Sequence, residues 1–182
     1  MNRFYTRTGD DGYTGLLGEG RAAKDDLRIE AVGSIDEATA ALGFGRATSQ
    51  AEQTACLLLT IQRDLYGLMA EVAATPENAA RFRTIDAARV AWLETQTDEI
   101  GAAVDMPREF IVPGDSTAGA AMALARTAVR RAERRVVQLF HADGLENTAL
   151  LHYLNRLSSL CFVLELLENR AAGTNAPTLA RE

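Results

Sequence analysis

Five arginines and one glutamate fall within ten residues of one predicted helix. They are Arg126, Arg130, Arg131, Arg134 and Arg135, with Glu133. At 100° per residue, Arg126, Arg130 and Glu133 share an arc of about 60° beside the apolar side of that helix. Arg134 lies at the margin of this arc, and Arg131 and Arg135 point away from it. A guanidinium group donates two parallel hydrogen bonds to a phosphate, so the arc predicts an anion-binding edge. The alternative is a surface helix with ion pairs, such as Arg130 with Glu133.

The N-terminal stretch from Thr6 to Gly15 is a second candidate for phosphate binding. It alternates hydroxyls, glycines and a cation, and Lys24 follows nearby. Glycines let backbone N–H groups approach phosphate oxygens, and threonine hydroxyls donate as well. The stretch contains neither a P-loop nor a dinucleotide-binding fingerprint. A flexible tail rich in glycine and aspartate would have the same composition, and composition alone does not decide between the two.

The remaining sequence has the 3.6-residue apolar period of helices. Ser34 followed by Glu37 has the spacing of a capping box and predicts the start of the first helix. The predicted helices are Ile35–Thr48, Ala51–Thr75, Thr84–Gly101, Asp115 or Ser116 to His141, and Glu146–Ala171. Long helices with one apolar stripe each and short connections predict an all-α, up-down five-helix bundle. We expect one domain over residues 1–182, with an ordered loop at 1–32, the bundle at 33–172 and a frayed tail at 173–182.

Composition and charge limit the classes of function. Nineteen basic and 25 acidic side chains give a net charge of −6, which argues against broad binding of nucleic acid or of membrane surfaces. The first residues lack the apolar run of a signal peptide, and no run of 18 apolar residues predicts a membrane span. Cys56 and Cys161 are expected to be buried, unpaired thiols, which fits a reducing cytoplasm.

Three blocks of the sequence together resemble the PduO-type ATP:cob(I)alamin adenosyltransferases. These are residues 6–37, 125–137 and 153–158, in the order in which that family has them. The resemblance implies a ferritin-like, five-helix bundle that assembles as a homotrimer with active sites between subunits. It also implies the reaction: the cobalt of cob(I)alamin attacks the 5′ carbon of ATP, giving adenosylcobalamin and tripolyphosphate. The implied cofactors are ATP, Mg²⁺ and cobalamin as the substrate, and a cobalamin reductase or an adenosylcobalamin-dependent enzyme is a candidate partner.

The same resemblance assigns the nucleotide site. In the loop at 1–32, the residues implied to contact ATP are Thr6, Arg7, Thr8, Gly9 and Thr14, with Lys24 at the phosphates. Arg130, Glu133 and Arg134 of the neighbouring subunit, with Asn155, are implied to complete the site. No protein metal site is assigned, because Mg²⁺ would be bound mainly through the ATP phosphates, with Glu133 as a candidate ligand.

Four residues are implied to act in catalysis: Arg126, Asp36, Phe110 and Arg130. Asp36 and Arg126 match a salt bridge of the family on the corrin side of the site. Phe110 matches an aromatic residue that covers the lower face of the corrin. Because Co(I) is itself the nucleophile, the protein needs to position ATP, neutralise the leaving tripolyphosphate and exclude water from the cobalt.

Four positions depart from the family pattern: Gly15 where serine is frequent, Asp115 where a second glycine is common, Ser159 where aspartate is usual, and Glu165 in an apolar run. The last two lie on the helix near the corrin side. Ser159 and Asp115 motivate the alternative function, a catalytically weak ATP- or cobalamin-binding sensor or carrier on the same fold. A helical bundle without any nucleotide affinity is the third hypothesis.

Overall fold

Helices form most of this protein. The computed structural model describes residues 5–142, 144–174 and 176–181, so parts of the predicted loop and tail lie outside the described residues. A two-stranded antiparallel sheet joins β1 (Tyr13–Gly15) to β2 (Arg21–Ala23). Within the described residues the α-helices are α1 (Leu27–Thr48), α2 (Glu52–Ala73), α3 (Pro76–Ala79), α4 (Ala87–Gly101), α5 (Thr117–His141) and α6 (Ala149–Ala171). The predicted mostly helical fold is confirmed, but the count is six helices because Pro76 begins an extra single turn.

The five longer helices alternate in direction along the chain. Helix α1 packs against α2 and α5, and both of these run antiparallel to it, while α6 runs antiparallel to α5 and parallel to α4. An up-down arrangement follows, with α5 between α1 and α6. The contacts that set these directions are Thr39 with Gln62, Glu37 with Arg131, Glu30 with Arg135, Glu133 with Asn155, Ser116 with Asn169, Glu94 with Arg156, and Gly101 with Val163.

The predicted start of α1 at Ile35, with Ser34 as its cap, was wrong, because the helix begins eight residues earlier, at Leu27. The Asp26 side chain caps it by accepting the backbone N–H of Arg28 at 2.8 Å. Ser34 and Glu37 are interior residues of this helix, and Ser34 is buried. Serine and glutamate three residues apart also share one face of a continuous helix, so their spacing alone did not locate the cap. The N-terminal loop therefore ends at Asp26 and is shorter than predicted.

Helix α5 has a buried face of small side chains against α1 and α6. Ala121, Ala125, Ala128 and Ala132 lie on this face, and α6 contributes a continuous leucine-rich core opposite them. Helix α6 is long and apolar enough to cross a membrane, but 61% of its most apolar window is buried inside the protein. Its apolar character is therefore that of a core helix.

Two further expectations from the sequence were wrong. Cys56 is exposed, although Cys161 is buried as predicted. The C-terminal tail is not frayed over residues 176–181, which we call the tail segment. Leu179 forms an antiparallel bridge with Ile111, and Thr178 O accepts a hydrogen bond from Val112 N at 2.8 Å. Backbone pairing holds the tail segment in place, and apolar periodicity does not report such pairing.

One buried cation joins the N-terminal half of α1 to the end of α2. The Arg28 guanidinium donates to Val72 O at 2.7 Å, to Ala74 O at 2.9 Å and to Gly144 O at 2.8 Å. The first two carbonyls belong to the C-terminal end of α2, where helical carbonyls lack partners and a cation is favoured. Arg28 therefore links two helices and the connection before α6.

We expect Arg28→Met to destabilise the protein by about 2–4 kcal/mol, because it leaves three carbonyls without a charged donor. Urea unfolding monitored by circular dichroism measures the change. Arg63→Met is the matched control at an exposed position of the neighbouring α2 and should change the free energy of unfolding little. Equal effects of the two substitutions would show that Arg28 does not join these elements.

Candidate functional site

An apolar cleft of about 840 Å³ opens between the end of α4, the loop after it, and the facing sides of α5 and α6. Phe110 projects into this region and is 89% exposed, so its ring gains almost no burial within the chain. Arg126 and Arg130 of α5 and Arg108 of the loop after α4 supply the cations of the cleft. The cleft is lined by residues that include Met106, Phe110, Ile111, Pro113, Arg126, Arg130, Ser158, Ser159, Phe162 and Glu165.

Buried polar atoms lie in the inner wall of this apolar cleft. Arg126 Nε and both carboxylate oxygens of Glu165 are buried without a hydrogen-bond partner among the described residues. Burial raises the pKa of the Glu165 carboxyl, and the nearby Arg126 guanidinium partly offsets that shift. Burial also raises the pKa of the Cys161 thiol to about 12, so this thiol stays protonated and unreactive at neutral pH.

A second, polar cleft of about 660 Å³ lies further along α5. We call it the arginine cleft, and its lining includes Arg130, Glu133, Arg134 and Asn155. Asn155 Nδ2 donates to Glu133 Oε1 at 2.8 Å, which joins α6 to α5 at the site. Arg130 is exposed and lines both clefts, so a single guanidinium lies where the apolar and the polar cleft meet.

The loop cleft is a third concavity, of about 440 Å³, between the N-terminal loop and the outer side of α1. Thr14 and Lys24 line it from the loop, and Glu30 and Glu37 line it from the helix. Lys24 Nζ donates to Gly9 O at 2.7 Å. A Cβ at Gly9 would lie 3.1 Å from that Nζ, so this close approach favours glycine.

Between Thr8 and Arg21, the N-terminal loop is held together by its own side chains. Arg21 donates to both carboxylate oxygens of Asp11 at 2.7 Å and to Thr8 O at 2.6 Å. The Arg21 guanidinium holds the pKa of the Asp11 carboxyl at about 2, so Asp11 stays ionised. Sequence reasoning missed this pair, although two charged residues that flank a Gly-rich hairpin were an available signal. The alternative of a flexible tail does not describe this part of the loop.

Residues 5–8, where the described part of the loop begins, are exposed. The hydroxyls of Thr6 and Thr8 lie 2.5 Å apart, and Arg7 between them has a positive φ of 63°. A positive φ is uncommon for a non-glycine residue and often marks a functional turn. Further along, Leu17 pairs with Ala74 and anchors the hairpin to the end of α2.

Two ion pairs form a ridge between the loop cleft and the arginine cleft. Arg131 pairs with Glu37, and Arg135 lies 3.9 Å from Glu30. The two glutamates line the loop cleft, whereas the two arginines line the rim of the arginine cleft. These two clefts have no lining residue in common, so within one chain Thr14 and Lys24 line a different cleft from Arg130, Glu133 and Asn155.

The predicted salt bridge between Asp36 and Arg126 does not form within one chain. It is absent from the ion pairs of the described residues, where Asp36 lies on the exposed face of α1. Arg126 instead turns its buried Nε towards α6, near Cys161 and Glu165. The pair of Arg130 with Glu133, which the alternative of a surface helix contains, is likewise absent from those ion pairs, and Glu133 accepts a hydrogen bond from Asn155 instead.

A preformed metal centre is not found in the part of the chain that the structure describes. No group of three or more His, Cys, Asp or Glu side chains converges there. Glu133 accepts from Asn155 through one carboxylate oxygen, and its other oxygen makes no hydrogen bond with the described residues. Such a site suits a hard cation that takes one protein carboxylate and obtains its remaining ligands from a bound anion and water.

Known proteins match almost the whole chain. The family model described as cobalamin adenosyltransferase matches residues 4–168. The corrinoid adenosyltransferase of Bacillus subtilis is 38% identical over 175 residues, which cover 94% of this chain and 89% of that relative. A cobalamin adenosyltransferase of Cupriavidus metallidurans is 38% identical over 183 residues, which cover 100% of this chain and 96% of that relative.

Solved structures agree with this match. An alanine variant of a PduO-type ATP:corrinoid adenosyltransferase from Lactobacillus reuteri, complexed with cobalamin and ATP, superposes with a TM-score of 0.90. It is 29% identical, and the match covers 99% of this chain and 100% of that one. A lysine variant from the same organism, complexed with ATP, has a TM-score of 0.89 at 28% identity and covers 98% of this chain and 100% of that one.

We expect Glu165→Leu to raise the melting temperature more at pH 8 than at pH 5. Folding raises the pKa of the Glu165 carboxyl, because burial disfavours its charged form. The free energy of unfolding is therefore undiminished below the ordinary glutamate pKa and falls as the pH rises through the raised pKa. The substitution removes this loss. Scanning calorimetry at both pH values measures it, with Glu99→Leu as the exposed control. An equal gain at both pH values would mean that Glu165 ionises normally.

Proposed function

We propose, from the premise that this chain belongs to the cobalamin adenosyltransferase family, that it transfers the 5′-deoxyadenosyl group of ATP to the cobalt of a reduced corrinoid. The protein is an ATP:corrinoid adenosyltransferase. In the reaction the Co(I) electron pair forms a bond to the 5′ carbon of ATP. The bond between that carbon and its oxygen breaks, and the tripolyphosphate leaves with the electron pair of the broken bond.

The position of Arg130 is the observation that carries this proposal. The two substrates differ in character, since the corrin is a large and mostly apolar macrocycle and ATP is a polyanion. The chain has an apolar cleft of about 840 Å³ and an adjacent cleft lined by arginines, and Arg130 lines both. A cation at this junction would stabilise the negative charge that develops on the leaving oxygen next to the cobalt.

The nucleotide would be bound between two copies of the chain. Thr14 and Lys24 line the loop cleft, Lys24 donates to Gly9 O, and Thr6, Arg7 and Thr8 precede Gly9 in the same loop. The arginine cleft across the ion-pair ridge is lined by Arg130, Glu133, Arg134 and Asn155. A homotrimer with cyclic symmetry would bring the loop of one subunit to the arginine cleft of the next. Mg²⁺ would be held by the phosphates, and Glu133 offers it one oxygen.

The corrin side would also use two copies. Asp36 is exposed and Arg126 lines the apolar cleft, so an ion pair between them would form across a subunit boundary. The exposed Phe110 ring has the size and position to cover the lower face of the corrin and exclude water from the cobalt. Arg126, Asp36, Phe110 and Arg130 are therefore the residues that we place at the reacting centre.

The departures from the family pattern do not favour a sensor or carrier. Ser159 lines the apolar cleft, where its small side chain leaves space. The Asp115 carboxylate is fully engaged by the tail segment, so it has a structural partner.

We propose that the whole chain forms one domain, that it acts in the cytoplasm, and that neither nucleic acid nor a membrane is a partner. A corrinoid reductase or an enzyme that uses adenosylcobalamin is the proposed protein partner.

Anaerobic incubation with ATP, Mg²⁺ and chemically reduced cobalamin tests the proposed function. We expect the absorption spectrum to change to that of adenosylcobalamin, with one tripolyphosphate released for each corrinoid converted. Nucleotide and corrinoid binding without conversion would support the sensor or carrier. The proposal would be wrong if no conversion occurred under conditions in which the Bacillus subtilis relative converts its substrate.

We expect Arg130→Ala to raise the KM for ATP by about tenfold or more, because it removes charge-assisted hydrogen bonds to phosphate. Arg135→Ala is the matched control on the same helix, and it should change the KM less than about twofold since Arg135 is engaged with the exposed Glu30. Initial rates at saturating corrinoid give both values. Similar KM values for the two variants would contradict the assignment of Arg130.

A further inference from the structure

The segment that presents Phe110 is paired with the C-terminal end of the chain. Ala180 N donates to Phe110 O, and Val112 N donates to Thr178 O, each at 2.8 Å, with Ile111 opposite Leu179. These bonds make a short antiparallel ribbon at the mouth of the apolar cleft. A two-stranded ribbon of this length is marginally stable by itself, so its geometry depends on further contacts.

A carboxylate supplies such a contact. Asp115 Oδ2 accepts from Thr178 N at 2.9 Å, and Asp115 Oδ1 accepts from Thr178 Oγ1 at 2.7 Å. Asp115 lies directly before Ser116, whose hydroxyl caps α5 by accepting Gly119 N. The tail segment is therefore fastened to the N-terminal end of α5, the helix that also carries Arg126 and Arg130.

Phe110 itself contributes little to holding its segment in position. Its side chain is 89% exposed, and Met106 and Val112 nearby are 55% and 46% exposed. Because apolar burial cannot fix this loop in the free chain, the backbone pairing with the tail segment and the Asp115 contact must define where Phe110 lies. Hydrogen bonds to an ionised acceptor are the stronger kind, which suits Asp115 to this role.

We propose that Asp115 and Thr178 are positioning residues that hold Phe110 over the apolar cleft, through the paired segments 110–112 and 178–180. This inference rests on the proposed function and deepens it, because it assigns the tail segment to the corrin half of the reaction and not to the nucleotide half. Neither residue touches the reacting atoms. Their effect passes through the position of the Phe110 ring, which excludes water from the cobalt.

Thr178→Val tests the proposal, since it removes one hydrogen bond to Asp115 and keeps the size of the side chain. With Co(II) cobalamin and MgATP bound, electron paramagnetic resonance measures the fraction of cobalt that lacks a lower-face ligand. We expect the ratio of cobalt without a lower-face ligand to cobalt with one to fall about threefold to tenfold, because Thr178→Val loses the hydrogen bond from the Thr178 hydroxyl to Asp115. Adenosylation of Co(II) substrate with a reductant should slow accordingly, while the KM for ATP stays at its wild-type value.

Two matched variants separate positioning from general damage. Thr178→Ser retains the hydroxyl and should restore the spectrum and the rate. Thr95→Val makes the same change at an exposed position of α4, where the hydroxyl bonds to Ala91 O, and should alter neither. Hydrogen exchange of the Val112 amide, which needs no corrinoid, should be faster in Thr178→Val than in the wild type or in Thr178→Ser.

The outcomes distinguish this inference from the proposed function. A wild-type chain that does not adenosylate Co(I) cobalamin refutes the proposed function. If the wild type is active and Thr178→Val keeps the wild-type Co(II) spectrum and rate, the positioning role is overturned. Unchanged exchange of the Val112 amide in that variant would also overturn it, because Asp115 and Thr178 would then not hold the paired segments together.

Discussion

The separation of the loop cleft from the arginine cleft is the constraint on which the proposed nucleotide site depends, and the ion pairs of Arg131 with Glu37 and of Arg135 with Glu30 lie between the two clefts. Exposed ion pairs of this kind contribute little to stability, so their effect is geometric. They use two of the five arginines of α5 to join it to α1. In the proposed site the loop of one copy meets the arginine cleft of the next, so nucleotide binding would depend on assembly of the chains.

Helix α5 shows how much of this could be predicted from the sequence. Its apolar stripe identified the face that packs in the bundle, and the arc containing Arg126 and Arg130 does lie beside that face, at the wall of the clefts. Periodicity predicts helices well because burial repeats every 3.6 residues. It also distinguished Arg130 from Arg131 and Arg135. The latter two pair with Glu37 and Glu30, but all three arginines line the arginine cleft.

Other features could not be found in this way, because they depend on contacts between distant residues. The cap of α1 at Asp26 was missed because Ser34 and Glu37 have the same spacing inside a helix. Nothing local in the sequence predicts that the end of the chain pairs with Phe110, or that Asp115, a departure from the family pattern, binds Thr178. In the proposed assembly, the ion-pair partner of Asp36 belongs to a second copy of the chain. Neither periodicity nor the fold of one subunit can therefore identify that partner.

Mixing two variants that are impaired on opposite sides of the site, and assaying them at ATP concentrations below the wild-type KM, tests most directly whether the site is shared between copies. Lys24→Ala impairs only the loop side, and Arg130→Ala impairs only the arginine side. The two variants are co-expressed in equal amounts and purified as mixed oligomers. An intact site then takes its loop from the Arg130→Ala chain and its arginine from the Lys24→Ala chain, so random assembly makes about one quarter of all sites intact. We predict adenosylation near that fraction of the wild-type rate. Activity no greater than the average of the two separate variants would contradict a site shared between subunits.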